Sequence, residues 1–596
     1  MDRDRYIGFT LILFLIIIYY GFFLPSQPVN EKIVSEEDEI KIIEENTPEL
    51  KSPDKEFLSD EKGEIINLEN DNLIVDFNSK GGIIENVYLK NYVNNKSEIV
   101  HLYDGSESNI NYYYPDENIN FDNIIFEYDI TKNSDYQKLR FTSIFNNGNK
   151  ISITYDINKD SYLINNSVIL NEGFNKSEFL NITWNNKPLH HELNTYNEKN
   201  QSTINYLDDK ENFDYLDYPS TDNESIELDD PLKWISIKQQ YFNSSLISND
   251  LFYNTKLKSN HIENDDFVKD FIIESKILLN NNSFRVDYYF GPNDYKILDN
   301  ISTDFDKNIY LGFETIGVRA FNKYFLIPIF NFLKNFTSNY GLIILLMVIV
   351  IRLIITPLTY KSHISMAKMK VLNPEIQSIR EKHDGDMQKS QAETMELYQK
   401  TGVSPLGGCL PIVLQMPILI SVFYFIPNMI EFRGKSFLWA SDLSTYDSII
   451  DLPFSIPFYG SHISLFTLLM AFSIMLMNKT NMQMQANMDG PMKYFQYFIP
   501  VMMLFFFNSF ASGLTYYYFL TNIATYGQMN IFKRFVDESK IKEEIEFNRK
   551  KNINSKKSSF QIRLDEAMKA RQTGCDDQML RPDVTNDVRT GCCDQM

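Results

Sequence analysis

The sequence predicts a polytopic α-helical membrane protein with six spans and a large all-β domain on the outer side of the membrane. The first observation is residues 340–358, YGLIILLMVIVIRLIITPL, which are apolar except for Arg352. Nineteen such residues rise about 28 Å as a helix, enough to cross the hydrocarbon of a bilayer. The second is a set of further uncharged runs, and the third is the uneven distribution of charge.

Charge divides the chain near residue 320. Residues 1–320 carry 29 Lys and Arg against 56 Asp and Glu, a net charge of −27, whereas residues 321–596 carry 28 against 23, or +5. An acidic half is typical of a solvated domain, and a mildly basic half is typical of a membrane body whose cytoplasmic loops hold cations. The overall charge of −22 therefore hides two different regions.

Residues 1–24 are predicted to be an N-terminal membrane anchor. The uncharged run 7–24 follows Arg3 and Arg5, and the segment after it has no A-x-A cleavage pattern, so the anchor is expected to stay uncleaved. Cations before the run place the N-terminus in the cytoplasm. Residues 25–62 are rich in Glu, Asp, Lys, Ser and Pro, which predicts a disordered acidic linker.

Residues 63–317 are predicted to form the all-β domain, a sandwich. Leu73, Val75 and Phe77 alternate with polar residues, and the runs KLRFTSIF and KISITYDI flank an Asn-Asn-Gly-Asn turn at 146–149. The domain has no cysteine, so no disulfide can stabilise it. We interpret His190 and His191 as solvated residues at a sheet edge because they lack a partner spacing typical of catalysis.

Two segments flank the Arg352 span. Residues 318–339 predict an amphipathic helix lying in the outer interface, since the segment is too short and too charged to span. Residues 359–404 predict a cytoplasmic hairpin of two helices joined at Asp384-Gly385-Asp386. Pro374 is expected to kink or divide the first arm.

The remaining uncharged runs complete the six spans. Runs at 406–426 and 462–477 each fit one span, and residues 494–532 hold no charge and are divided by the polar turn at 508–513. Residues 536–596 are predicted to be a basic cytoplasmic tail, since residues 533–571 carry 12 Lys and Arg against 7 Asp and Glu. An even number of spans agrees with both termini in the cytoplasm.

Arg352 has two interpretations. Its long side chain could reach the interface beyond the span, or it could line a functional cavity. The bundle offers no Asp or Glu as a partner, and its other polar groups could be glue between helices or part of a hydrated cavity. These polar residues within apolar runs are Arg352, Gln415, Ser512, Thr515, Thr521, Asn522 and Thr525.

Three stretches of the sequence are specific enough to carry a resemblance. They are IRLIITPLTYKSHISMAKMKVLNPEIQSIREKH, SPLGGCLPIVLQMPILISVFY and FASGLTYYYFLTNIATYGQMNIFKR. With them the chain resembles the YidC/Oxa/Alb family of membrane protein insertases, most closely its Gram-negative bacterial members. The resemblance implies a five-helix core at 340–535, a periplasmic β domain like the galactose-mutarotase super-sandwich, and a place in the inner membrane.

The resemblance also implies a site. In such proteins a hydrophilic groove, open to the cytoplasm and to lipid, receives a hydrophobic segment of a nascent protein before the segment enters the bilayer. Matched by position, the groove residues are Arg352, Gln415, Met416, Pro417, Tyr517, Asn522 and Thr525. Expected contacts of the hairpin are Met366, Met369, Asp384, Gly385 and Asp386.

The partners expected are nascent membrane proteins and membrane lipid, with ribosome and Sec translocon contacts through the hairpin and tail. No cofactor, no metal, no enzymatic activity and no recognition of a specific nucleic-acid sequence are expected. Two alternatives remain open. One is a small-solute transporter or channel, which a buried Arg and helices broken by proline favour but the missing carboxylate does not. The other is a sugar-acting enzyme in the β domain that uses His190 or His191.

Overall fold

The structure is a computed structural model that describes residues 62–171, 173–174, 178–216, 222–263, 266–383, 387–404, 410–457, 459–482 and 492–552. The predicted anchor, nearly all of the predicted linker, the turn Asp384-Gly385-Asp386 and the tail beyond residue 552 lie outside these residues.

Strands dominate the described chain between residues 65 and 292. The alternation that predicted strands there follows the burial pattern: in the strand Leu73–Asn78 every second residue is buried, beginning with Leu73. The strands are β1 Ile65–Glu69, β2 Leu73–Asn78, β3 Ile83–Val93, β4 Ile99–Asp104, β5 Asn109–Tyr114, β6 Ile119–Asn120, β7 Glu127–Lys132, β8 Tyr136–Ile144, β9 Lys150–Asn158, β10 Leu163–Leu170, β11 Phe179–Asn186, β12 Thr203–Asp208, β13 Phe213–Leu216, β14 Glu224–Leu228, β15 Leu232–Lys238, β16 Phe242–Asn260, β17 Asp270–Leu278, β18 Ser283–Arg285 and β19 Asp287–Pro292.

These strands form two antiparallel sheets. Strands β1 to β4 make a small sheet in chain order, and the others make a large sheet whose main path runs β6-β5-β11-β17-β16-β19-β10-β9-β8-β7. The predicted hairpin is confirmed: β8 and β9 pair from Tyr136 with Asn158 to Ile144 with Lys150. Gly148 has φ +84° in its turn, a conformation that favours glycine. The core holds large aromatic side chains, including the fully buried Trp184 and Trp234.

Helices dominate the described residues after the β-rich region. Their sequences hold the long apolar runs that predicted spans, and a two-stranded hairpin of β20 Ile450–Ile456 and β21 Gly460–Ile463 interrupts them. The helices, including two short ones within the β-rich region, are α1 Thr195–Gln201, α2 Tyr295–Leu298, α3 Val318–Phe321, α4 Ile327–Lys334, α5 Tyr340–Lys382, α6 Met387–Thr401, α7 Leu410–Asn428, α8 Leu465–Met482, α9 Met492–Phe507, α10 Ser512–Phe535 and α11 Glu538–Asn552.

The predicted interfacial helix at 318–339 is helical only as far as Lys334. It consists of α3, a π-helical segment Asn322–Leu326, and α4. Leu326 and Phe330 are buried, whereas Tyr324 and Phe332 are exposed. An apolar face on each side suits a helix that packs on protein with one side and on lipid with the other.

Helix α5 differs from its prediction. It runs unbroken for 43 residues from Tyr340 to Lys382, through Pro357 and Pro374, so Pro374 does not divide it and no helix boundary separates the span from the hairpin arm. Among the described residues it alone is long and apolar enough to cross a membrane, and the apolar stretches Leu465–Asn478 and Phe498–Phe507 are shorter. The six spans therefore remain a prediction.

The chain divides into two compact units. The first takes in residues 1–352, 415–478 and 488–524, and the second takes in 353–414, 479–487 and 525–596. The second unit has a hydrophobic core of its own, in which Leu372 and Ile376 of α5 pack with Ile541 and Ile545 of α11. Val403, just after α6, is buried in the same cluster.

Ion pairs support the packing of α11 in the second unit. Lys368 of α5 lies 2.6 Å from Glu544, and Arg549 lies 2.9 Å from the Glu375 carboxylate. Exposed pairs of this kind each contribute little, so the apolar cluster supplies most of the stabilisation. The described start of the predicted basic tail is thus a packed helix with charges of both signs.

Candidate functional site: a buried arginine among apolar helices

Arg352 is the polar centre of the first unit's helices. Helix α5 buries Ile344 and Val348 on one side and exposes Leu342 and Ile349 on another, so it is apolar nearly all round, as a helix in lipid would be. Within it Arg352 is only 9% exposed. The side chain therefore lies among the helices rather than extended into solvent.

The guanidinium of Arg352 reaches a second helix. Its Nη2 donates a hydrogen bond to the carbonyl oxygen of Thr521 on α10, with the two atoms 3.0 Å apart. A carbonyl dipole attracts a guanidinium but carries no net charge, so this contact does not neutralise the cation.

Two further predicted groove residues lie on α10 in the same unit. Asn522 is half-buried, and its Nδ2 donates to Ser473 Oγ of α8 at 3.0 Å. Tyr517 is 2% exposed and its ring lies 5.9 Å from that of Tyr518. Tyr517 and Asn522 thus lie on the same helix as Thr521, the acceptor of Arg352, and their role in a groove stays a prediction.

The predicted residues of α7 are accessible. Gln415 is half-buried, Met416 is 44% exposed and Pro417 is exposed. A described contact between α7 and α10 lies one turn further along, where the Tyr518 hydroxyl donates to the Leu419 carbonyl at 3.1 Å. Exposed Met416 offers an adaptable apolar surface to a guest.

Thr525 belongs to the second unit, in which it is half-buried. The same unit contains a polar contact that sequence reasoning missed: Gln528 Nε2 of α10 donates to Thr356 Oγ1 of α5 at 2.8 Å. Met366 and Met369 are half-buried there, and Met369 packs against the cluster of α5 and α11. The prediction that these methionines meet partners from outside the chain stays a prediction.

Sequence reasoning also missed Ser473 and Tyr518. Both are polar groups inside apolar runs, the same signal that singled out Asn522, but a hydroxyl in such a run is as often glue between helices. Their partners could not be chosen without the fold.

The interpretation of His190 and His191 as solvated edge residues is wrong. The His190 side chain is 7% exposed and His191 is 2% exposed. His190 Nδ1 lies 2.7 Å from Glu198 Oε2, and Glu198 also accepts from the backbone N–H of His191. The buried Glu198 of α1 thus holds both histidines through hydrogen bonds.

Together these features define a membrane protein with a polar contact buried among its helices and a β-rich domain before them. Two families match the chain: "60Kd inner membrane protein" over residues 332–540 and "YidC periplasmic domain" over residues 65–323. The second match confirms the β-rich domain and places it in the periplasm.

Whole-length relatives agree with these matches. A "Membrane protein insertase YidC" of Amoebophilus asiaticus is 36% identical, covering 96% of this chain and 99% of the relative. One of Parabacteroides distasonis is 37% identical, covering 85% and 83%. The chain belongs to the YidC family of membrane protein insertases, an inner-membrane family whose members are not enzymes.

A solved structure described as an active YidC insertase with the first transmembrane domain resolved is also similar. It is 17% identical and covers 87% of this chain and 97% of that chain, with a TM-score of 0.32. At this TM-score the family assignment rests on the sequence matches.

Proposed function

We propose that this protein inserts hydrophobic segments of nascent membrane proteins into the inner membrane, acting as insertase and chaperone. The observation that carries the proposal is Arg352, a cation buried within an apolar helix and held to α10 through the Thr521 carbonyl. A charge at such a depth is costly, so a protein that keeps one there uses it.

The physical problem is the transfer of a short hydrophilic segment across about 30 Å of hydrocarbon. Each peptide group and each charge would lose its water on the way. A polar groove that reaches part of the way into the bilayer shortens this distance, and Arg352 attracts acidic residues of the guest. Burial of the guest's apolar side chains in lipid, about 0.8 kcal/mol per CH₂, then drives release. No covalent bond changes.

In this proposal the guest meets Arg352, Gln415, Met416, Tyr517 and Asn522, in a groove open to the cytoplasm and to lipid. Pro417 extends the same surface, and Thr525 is the further groove residue that the resemblance implies. Six spans place both termini in the cytoplasm, and the helices α5, α6 and α11 receive the ribosome or the Sec translocon there. The mixed charges of α11 suit contacts that need no reading of nucleic-acid sequence.

Site-specific photocrosslinking tests the groove. A photoreactive residue at Met416, which is exposed, or at Asn522 should crosslink to a stalled nascent chain whose first hydrophobic segment has left the ribosome. The same residue at Ile144, 69% exposed at the end of β8, is the matched control. Equal labelling at all three positions, or labelling at Ile144 alone, would refute the groove.

Reconstitution tests the activity itself. Liposomes that contain the purified protein should insert a two-span guest with a short acidic loop, whereas empty liposomes should not. The same liposomes separate this function from the alternative of a small-solute transporter or channel. Solute flux without guest insertion would favour that alternative and would sink the proposal.

A further inference from the structure

A buried ion pair joins the β domain to the chain that follows α7. Arg433 Nε lies 2.8 Å from Glu192 Oε1, and the two side chains are 9% and 11% exposed. The guanidinium also donates to the His191 carbonyl at 3.4 Å and lies 5.0 Å from the centre of the Phe242 ring. Arg433 and Glu192 are 241 positions apart in sequence, so their ion pair is a tertiary contact.

Glu192 is held in place by its own domain. The Glu198 carboxylate accepts hydrogen bonds from the backbone N–H groups of His191 and Glu192, which fixes the loop. Asn95 adds a bond from its Nδ2 to the Glu192 carbonyl. Burial raises the pKa of Glu192, and the Arg433 cation opposes this. The β domain thus presents a fixed carboxylate to Arg433.

Residues 433–447 begin with Arg433, and we call them the clamp loop. Phe437 of the clamp loop packs directly on Gly341 near the start of α5, where a Cβ would lie 2.1 Å from the ring. Leu443 accepts a hydrogen bond from the Gly513 N–H at 2.9 Å. Thr445 accepts one from the Ser512 N–H at 2.7 Å. The clamp loop therefore contacts the beginnings of both α5 and α10.

These two helices carry the polar centre of the candidate site. Arg352 is eleven residues beyond Gly341, about 16 Å along α5, and Thr521 is nine residues beyond Ser512, about 14 Å along α10. A helix transmits a shift of its end over such a distance as a nearly rigid body. The spacing of α5 and α10 at the clamp loop thus affects the spacing at Arg352.

We propose that Glu192 and Arg433 are positioning residues for insertion: their ion pair fixes the clamp loop on the β domain, and the clamp loop sets the separation of α5 and α10 around Arg352. The inference rests on the proposed function and assigns the β domain a part in it. The pair touches no guest.

Neutral variants of the pair test this role in the full-length protein. Both Arg433→Gln and Glu192→Gln remove a charge; Glu192→Gln keeps the size of the side chain, and Arg433→Gln leaves a shorter polar one. Each should lower the yield of guest insertion in proteoliposomes about fivefold. Arg433→Lys keeps the charge and should keep at least about half of the yield. The exposed pair of Lys210 and Asp230, 2.8 Å apart, provides the control variant Lys210→Gln, which should insert like the parent.

A second readout separates positioning from a loss of folding. Spin labels at Leu342 on α5 and Ile523 on α10, both exposed, report the distance between the helices without any guest. The neutral variants should broaden or shift this distance distribution, and Lys210→Gln should not. Glu192→Gln retains a hydrogen-bonding group, so the distance can be measured in this variant if Arg433→Gln does not fold.

The outcomes are distinguishable. Unchanged insertion in both neutral variants would overturn the positioning role, and so would reduced insertion with an unchanged distance distribution. If the parent protein inserts no guest, the proposed function fails, while the distance measurement still shows whether the pair positions the helices.

Discussion

Two buried arginines in the first unit differ in what they meet. The Arg433 side chain is 9% exposed, and Arg352 as a whole residue is 9% exposed. Arg433 faces the carboxylate of Glu192, whereas Arg352 donates to the carbonyl of Thr521. A carboxylate cancels the charge and makes the contact structural. A carbonyl carries no net charge, and in the proposed function Arg352 attracts acidic residues of a guest.

The two arginines should also differ in how much stability the protein loses when each is removed. Removing one member of a buried ion pair leaves the other charged and without its partner, which destabilises a protein by several kcal/mol. Removing a cation whose described acceptor is a backbone carbonyl leaves a neutral acceptor at that contact, which costs less. Changes at Arg433 should therefore have the larger effect on stability, and changes at Arg352 should have the larger effect on insertion.

The largest expected effect is on stability at the paired arginine. Arg433→Ala should lower the free energy of unfolding by about 3–5 kcal/mol because Glu192 stays buried. Arg352→Ala should cost clearly less. Thermal unfolding of the purified protein in detergent measures both, with Lys210→Ala as the exposed control. Equal melting temperatures for the two alanine variants would show that the pairing does not distinguish them.

The next effect is a dependence of the protein's stability on pH, which arises from His191 beside Arg433. Burial lowers the pKa of His191 to about 3, and the Arg433 cation adds to this. In the unfolded chain the group binds a proton near pH 6.5. Its contribution to stability is therefore complete above pH 6.5 and is lost as the pH falls toward 3, by about 1.4 kcal/mol per pH unit.

Removing the titrating ring tests this contribution. His191→Asn should flatten the dependence of the melting temperature on pH between 6 and 4 by an amount that corresponds to one proton. His261→Asn changes an exposed histidine and should leave the slope unchanged. If both variants keep the parent slope, His191 is not the group responsible.

A smaller effect, on insertion, sharpens the role of Arg352. Arg352→Met should reduce the insertion of a guest with an acidic loop about tenfold, or about 1.4 kcal/mol, and Arg352→Lys should retain part of it. A guest whose loop acids are changed to amides should depend less on Arg352. If Arg352→Met reduces the insertion of acidic and neutral guests equally, Arg352 does not act by attracting acidic residues.

The smallest effect expected is at a hydroxyl that only joins helices. Tyr518→Phe removes the hydrogen bond to the Leu419 carbonyl and should cost about 1 kcal/mol of stability. Insertion should be unchanged within error. A loss of insertion as large as that of Arg352→Met would make Tyr518 part of the guest site.

Local patterns predicted the strands well. The alternation at Leu73, Val75 and Phe77 and the turn at 146–149 are properties of neighbouring residues, and the structure confirms both. The helical runs were found by the same kind of reasoning. Pro374 does not divide helix α5, and the alternative that it kinks the helix stays a prediction.

Long-range contacts could not be predicted. No sequence pattern around His190 indicates its hydrogen bond to Glu198, and nothing near Glu192 indicates an arginine 241 residues away. Arg352 stood out because a charge in an apolar run is a local signal. Its acceptor Thr521 was noticed only as a polar residue, since the pairing of α5 with α10 is a property of the fold.

The packing of α11 has a consequence for the order of synthesis. Leu372 and Ile376 are made about 170 residues before their partners Ile541 and Ile545. At ordinary elongation rates Leu372 and Ile376 wait roughly 10–30 s for these partners. A chain whose translation stops before residue 538 never acquires α11, leaves more of this apolar cluster exposed, and should be degraded faster by cellular proteases. Degradation can thereby discriminate against shortened chains even when their Arg352 region has formed.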